Sequence, residues 1–144
     1  MEVTIGKSAV LIEKAQAIRY QVFTMEQSIP NELDFDGLDS VAEHALVTET
    51  NQAVATARLV INTDGSSVMA RVAVLEAFRG RGIASIIVNK LIEYAHMQGV
   101  SSIEIHAHSY LRSYYERLGF EFIQDVEIVG EHQLIEMRHQ LVRT

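Results

Sequence analysis

The sequence predicts a mixed α/β fold: a central, mostly antiparallel sheet of about six to seven strands with one parallel pair, flanked by about four helices. Three observations carry it. Short segments alternating apolar and polar residues recur along the chain, as half-buried strands do. Two longer stretches space apolar residues three and four apart, as amphipathic helices do. From Val72 onward an apolar strand, a glycine loop, a long helix and another strand follow in the order of a right-handed parallel crossover.

The elements follow in order. Val3 and Ile5 alternate with polar residues in a first strand. Ser8 can cap a helix over Ala9–Met25, whose apolar positions are Val10, Leu11, Ala15, Ile18, Val22 and Met25. After Pro30, residues 31–40 form an acidic loop containing Gly37, with room for a helical turn. His44–Glu49 and Ala53–Asn62 read as strands around a turn at Asn51-Gln52. Asp64-Gly65 is a hairpin signal leading to a third strand, Ser67–Leu75. The helix Gly82–Gln98 carries Ile83, Ile87 and Leu91 on one face, with Met97 expected in the same core, and Gly99 stops it. Ser102–Ala107 is the parallel strand. A short helix over Tyr110–Leu118 precedes a ribbon of Phe120–Val129 and His132–Leu141.

A chain of 144 residues with 48% hydrophobic content suits one domain, expected over 1–144. No run of eighteen apolar residues indicates a membrane span, and Met-Glu-Val-Thr-Ile-Gly does not open like a signal peptide. With no cysteine there is no disulfide, thiolate metal site or thiol acyl-enzyme, and a cytoplasmic location is the expectation. A net charge of −7 opposes general nucleic-acid binding. Seven acids and no Lys or Arg lie from Glu26 to Glu49. That segment could draw in a cationic amine, or simply be a solvated acidic surface. Within it Asp34, Asp36 and Asp39 lack the twelfth-position glutamate of an EF-hand, so a structural role is expected.

The organising stretch is Arg71–Leu91. Gly80 and Gly82 strip side chains where the backbone turns into a helix whose first amides face outward at its positive end. Arg79 and Arg81 add full positive charges. Together they suit a phosphorylated anion, although glycines can also serve only a tight turn. No Gly-Lys-Ser/Thr follows, so this is not a P-loop, and Ser85 stands where a dinucleotide fingerprint needs its last glycine.

This stretch resembles motif A of the Gcn5-related N-acetyltransferases (GNAT), Arg/Gln-x-x-Gly-x-Gly/Ala, through Arg79, Gly82 and Ala84. Arg112-Ser-Tyr-Tyr-Glu-Arg-Leu-Gly-Phe120 resembles motif B through Tyr115, Arg117 and Gly119-Phe120. Arg19-Tyr-Gln-Val-Phe-Thr-Met-Glu-Gln27 with Pro30 resembles the narrower ElaA/YjcF-like branch. The resemblance implies acetyl-CoA as cosubstrate, bound by the backbones of Val72, Ala73 and Val74 and by the loop and helix start Arg79, Gly80, Arg81, Gly82, Ile83, Ala84 and Ser85. The parallel strand pair would lie at that site. It places Tyr115 at the CoA sulfur, where a phenol can protonate the departing thiolate.

The implied reaction is direct acetyl transfer to a primary amine in a ternary complex, with a backbone N–H near Val74 facing the developing oxyanion. Glu26 is the candidate base for the ammonium, or else a helix-end glutamate. His106 and His108 share a strand face. His108, nearer the strand end, is the candidate substrate contact, and the pair lacks a clear third ligand, so no metal is expected. Two rivals stand beside the enzyme: a non-catalytic acyl-CoA sensor, and an ATP-binding module using the same glycine loop. The acceptor is expected to be a small-molecule or peptide amine. The C-terminal ribbon leaves an edge through which a homodimer could form.

Overall fold

The computed structural model describes residues 1–141, so the last three positions of the expected 1–144 domain lie outside the described residues. In chain order it contains β1 (Glu2–Gly6), α1 (Ala9–Arg19), α2 (Asn31–Asp34), β2 (Glu43–Glu49), β3 (Gln52–Ile61), β4 (Ser66–Val74), α3 (Ile83–Met97), β5 (Ser102–His108), α4 (Arg112–Arg117), β6 (Glu121–Val129) and β7 (His132–Gln140). The seven strands form one mixed sheet in the order β1-β2-β3-β4-β5-β7-β6, with β4 and β5 parallel. No helix among the described residues is long and apolar enough to cross a membrane. The described residues divide into two compact units: Met1–Val60 with Arg71–Leu91, and Ile61–Ala70 with the described residues from Ile92 onward.

In the first unit Ser8 caps α1, accepting the Leu11 N–H at 3.2 Å. Leu11, Ile18 and Val22 pack with Leu46 and Ala73, with Phe23 and Leu75 against them. The α-helix ends at Arg19, not Met25, and continues as a seven-residue π-helix, Tyr20–Glu26. That wider winding carries the chain off the helical stripe after Val22. Met25 is therefore 63% exposed, and Val10, beside the stripe, 60%. The β2–β3 turn falls one residue earlier than the sequence suggests, with Thr50 and Asn51 both at positive φ, as a two-residue hairpin requires.

The loop after α2 turns its aspartates inward. Arg19, 1% exposed, donates from Nε to Asp34 at 2.9 Å and from both Nη atoms to Asp39 at 2.9 Å. Arg58 of β3 reaches Asp36 and Asp39, the latter at 3.1 Å, and Arg71 of β4 reaches Asp34 at 2.9 Å. Burial alone would raise the Asp39 carboxyl. The hydrogen bonds from Arg19 and Gln16 outweigh it and hold Asp39 well below the usual carboxylate range. The Arg58 hydrogen bond depresses Asp36 likewise.

The acidic stretch is part buried and part surface: Asp34 is buried, while Glu26, Glu32 and Asp36 are exposed. Six of its seven acids, all but Glu32, lie within ion-pair distance of a Lys or Arg, so little negative charge is left to attract a cation. Arg71 itself sits within β4 at a φ of 59°, a conformation costing a non-glycine residue of order 1–2 kcal/mol. Its bonds to Asp34 and Asp36 hold it there.

In the second unit the β3–β4 hairpin is closed by Asn62 N–H to Ser66 O at 2.8 Å, with Gly65 at a φ of 91°. Ser66, Ser67 and Val68 pair in parallel with Ser102, Ile103 and Glu104. Pairing ends there although β5 runs on to His108. Ile103, Ile105, Ile135, Met137, Tyr115 and Phe120 are buried. Met97 is not in this core. It is 75% exposed, two residues past the last buried helix position, Ala95, and so turned away from it. Gly119 ends α4 at a φ of 101°, and a Cβ there would stand 2.5 Å from His139 Nε2. The Gly-Phe pair thus lets the chain pass under His139, whose ring meets Phe120 edge-on at 5.2 Å.

Candidate active site

The first unit holds the glycine loop. β4 ends at Val74, a 3-10 turn spans Glu76–Phe78, and Arg79-Gly80-Arg81-Gly82 leads into α3. The first intrahelical bond of α3 runs from Ile86 N–H to Gly82 O at 3.1 Å, so the amides of Ile83 and Ala84 precede the helical ladder. Gly80 and Gly82 have φ of 79° and 74°. A Cβ at either would meet nothing within 4 Å. The glycines therefore do not relieve crowding inside the protein. They supply left-handed backbone and leave bare, open space beside peptide N–H groups at the start of a fifteen-residue helix. Gly37, Gly99 and Gly130 at other turns are equally open, so it is the position at the start of α3 that suits an anion.

The two loop arginines are already engaged. Arg79 donates from Nε to the Val74 carbonyl at 3.0 Å, and its two Nη atoms close on the Glu26 carboxylate at 2.8 and 2.7 Å. That bidentate bond raises the Arg79 pKa, so the guanidinium stays charged. Arg81 lies 3.7 Å from Glu49 and rests over the Phe78 ring at 5.2 Å. Glu26, the expected base, is thus brought to Arg79, expected to serve a different partner. Val72, Ala73 and Val74 lie on the last residues of β4 beside this loop.

The second unit holds the remaining expected residues. Tyr115, on α4, is buried between Tyr114 and Phe120, ring centroids 5.1 and 5.7 Å away. Burial, with a smaller contribution from Tyr114, pushes its phenol up to about 12. His108 stacks on Tyr110 at 5.2 Å and meets His132 edge-on at 4.8 Å. Its Nδ1 is buried with no hydrogen-bond partner. Burial and the neighbouring His132 both lower its pKa, so the ring is neutral at pH 7. His132 escaped the sequence reading. Its signal lay in the strand register: Leu134 faces His108, which makes His132 a diagonal neighbour.

A metal was not expected, for want of a third ligand. The β5–β7 register brings Glu104, His106 and Glu136 together, with donor atoms within 4.8 Å of one another. Those atoms have protein partners. His106 pairs with Glu104 at 3.0 Å, and the two Glu136 oxygens accept from Gln124 at 3.0 Å and Arg138 at 3.1 Å. An adjacent guanidinium also opposes a cation, so no chemistry is assigned to this cluster.

Comparisons with known proteins give the chain's family and fold. The family model described as "Acetyltransferase (GNAT) family" matches residues 12–120. The uncharacterized N-acetyltransferase YjcF of Bacillus subtilis (strain 168) is 27% identical over 90% of this chain and 91% of its own. An acyl-CoA N-acyltransferase from Pseudomonas aeruginosa superposes with a TM-score of 0.87 at 25% identity, covering 96% of this chain and 98% of that one. Escherichia coli ElaA superposes at 0.85 and 26% identity, covering 96% and 99%.

Proposed function

The chain belongs to the acetyltransferase (GNAT) family, and from that premise we propose that residues 1–144 work as one N-acetyltransferase domain that moves an acetyl group from acetyl-CoA to a primary amine. The observation that carries the cosubstrate is the open glycine cradle at the start of α3, beside the end of β4. In this reading the amides from Gly80 to Ser85 take the diphosphate, with Arg79 and Arg81 supplying charge, and Val72–Val74 hold the pantetheine arm. A bound thioester supplies an acyl carbon that the amine nitrogen attacks, the C–S bond breaking to leave a thiolate and an amide.

With no cysteine to carry the acetyl group, transfer is direct. The backbone near Val74 faces the developing oxyanion, and Glu26 takes the ammonium proton. Tyr115 serves the thiolate. A phenol at about 12 lies well above an ordinary thiol near 8.5, so it acts first as a hydrogen-bond donor, and burial keeps that proton in place. Neutral His108 contacts the acceptor. The acceptor class is a primary amine on a small molecule or peptide.

The test is an amine-panel assay detecting free CoA, preceded by titration with acetyl-CoA. Binding with turnover supports the enzyme. Binding with no turnover on any amine supports a sensor, and ATP binding that CoA does not displace would overturn both. Replacing Tyr115 by Phe should lower kcat by about a hundredfold with acetyl-CoA affinity kept. Lost affinity with intact turnover would remove Tyr115 from this role.

A further inference from the structure

The Arg79–Glu26 pair joins two groups that the reaction needs apart. A π-helix that ends on Glu26 delivers the carboxylate, and the 3-10 turn Glu76–Phe78, which Arg79 closes, delivers the guanidinium. Three of the five Arg79 N–H donors are used, one on Val74 O and the two of the fork on Glu26. That fork is the planar, two-pronged donor set that also recognises phosphate oxygens. A carboxylate and a diphosphate are therefore rival acceptors for one guanidinium. The carboxylate can be displaced, because the side chains are 42% and 29% exposed and such ion pairs are weak in water.

We propose that Arg79 is a shared positioning residue: it closes the Glu26 carboxylate until the diphosphate of an acyl-CoA claims its fork, and that transfer frees Glu26 to accept the proton of the incoming ammonium. This rests on the assignment of the loop to acetyl-CoA. The proton balance is simple. R–NH3+ gives one proton to Glu26, leaving a neutral amine nucleophile and a protonated carboxyl, which returns the proton to water. A carboxylate clasped by a guanidinium fork offers little to an ammonium, so the amine is engaged productively only after the cosubstrate. Binding order is built into one side chain.

Glu26→Gln gives a prediction of opposite sign to a merely structural role. Removing the rival carboxylate should make CoA bind about two- to five-fold tighter in calorimetric titration, the range an exposed ion pair is worth. The same variant should lose kcat while its KM for acetyl-CoA falls. Acetyl-pantetheine, which has no diphosphate, should show no gain, and adding Arg79→Gln should abolish the gain for CoA. Glu26→Ala is the second variant, with thermal melting as the check on folding. If wild type binds CoA but both Glu26 variants bind it equally or more weakly, the shared-fork proposal is overturned. If wild type does not bind CoA, the loop assignment itself fails, and the inference with it.

Discussion

Two sets of arginine–carboxylate pairs in the first unit differ chiefly in how deeply their arginines are buried. Around Asp34, Asp36 and Asp39 three arginines meet three acids, and Arg19 is 1% exposed with Nε and both Nη atoms bonded. At the glycine loop, Arg79 and Arg81 each meet one acid at the surface, with side chains 42% and 54% exposed. The same chemistry therefore does two jobs. Where the guanidinium is buried, as at Arg19, a ligand has no access, and the ions tie α1, β3, β4 and the loop after α2 together, although the buried Arg58 Nε has no partner among the described residues. Where water and open backbone adjoin the pair, another anion can replace the carboxylate. Burial separates the two sets, although both are written with arginines and carboxylates.

The largest effect is expected at Arg19. Arg19→Ala leaves Asp34 and Asp39 buried without their main partner, and should destabilise the protein by about 3–5 kcal/mol in denaturant titration. A loss below about 1 kcal/mol, typical of surface pairs, would erase the distinction drawn here.

Next in size is Gly82→Asp. A side chain at a φ of 74°, carrying a negative charge into the cradle, should weaken CoA binding at least about tenfold, a factor worth about 1.4 kcal/mol. Unchanged affinity would mean that the open space at Gly82 holds no phosphate.

A pH series sharpens the buried side of the comparison. Asp36 and Asp39 are depressed in the folded state, so their contribution is complete above the unfolded carboxylate value, near 4, and is lost as pH falls toward the folded values. Stability should fall steeply on acidification below about pH 4. In Arg58→Met, which removes the leading cause of the Asp36 shift, that acid limb should be shallower. An equal slope in both proteins would discount the network. The smallest effect is expected at Arg79. Arg79→Ala should change stability by less than about 1 kcal/mol while lowering CoA affinity, the reverse of the Arg19 pattern.

Much of the fold was legible because its signals are local. A strand shows its period within six residues, a helix within ten, and Gly65, Gly99 and Gly119 mark chain reversals where they stand. The strand, glycine loop and helix start of the site were readable for the same reason. Met97 and Val10 were misplaced because periodicity names a face without saying how wide its partner is. The π-helix at Tyr20–Glu26 left no local mark, and it decides where Glu26 ends up.

By itself, then, the sequence determined the element order, the glycine cradle and the absence of any thiol intermediate, since each follows from residues a few positions apart or from composition. Only the tertiary structure decided the ionic partners. Arg19 and Asp34 are 15 residues apart, Arg71 and Asp34 are 37, and Arg79 and Glu26 are 53. An ion pair depends on distance and dielectric, and neither exists until the chain has folded around it.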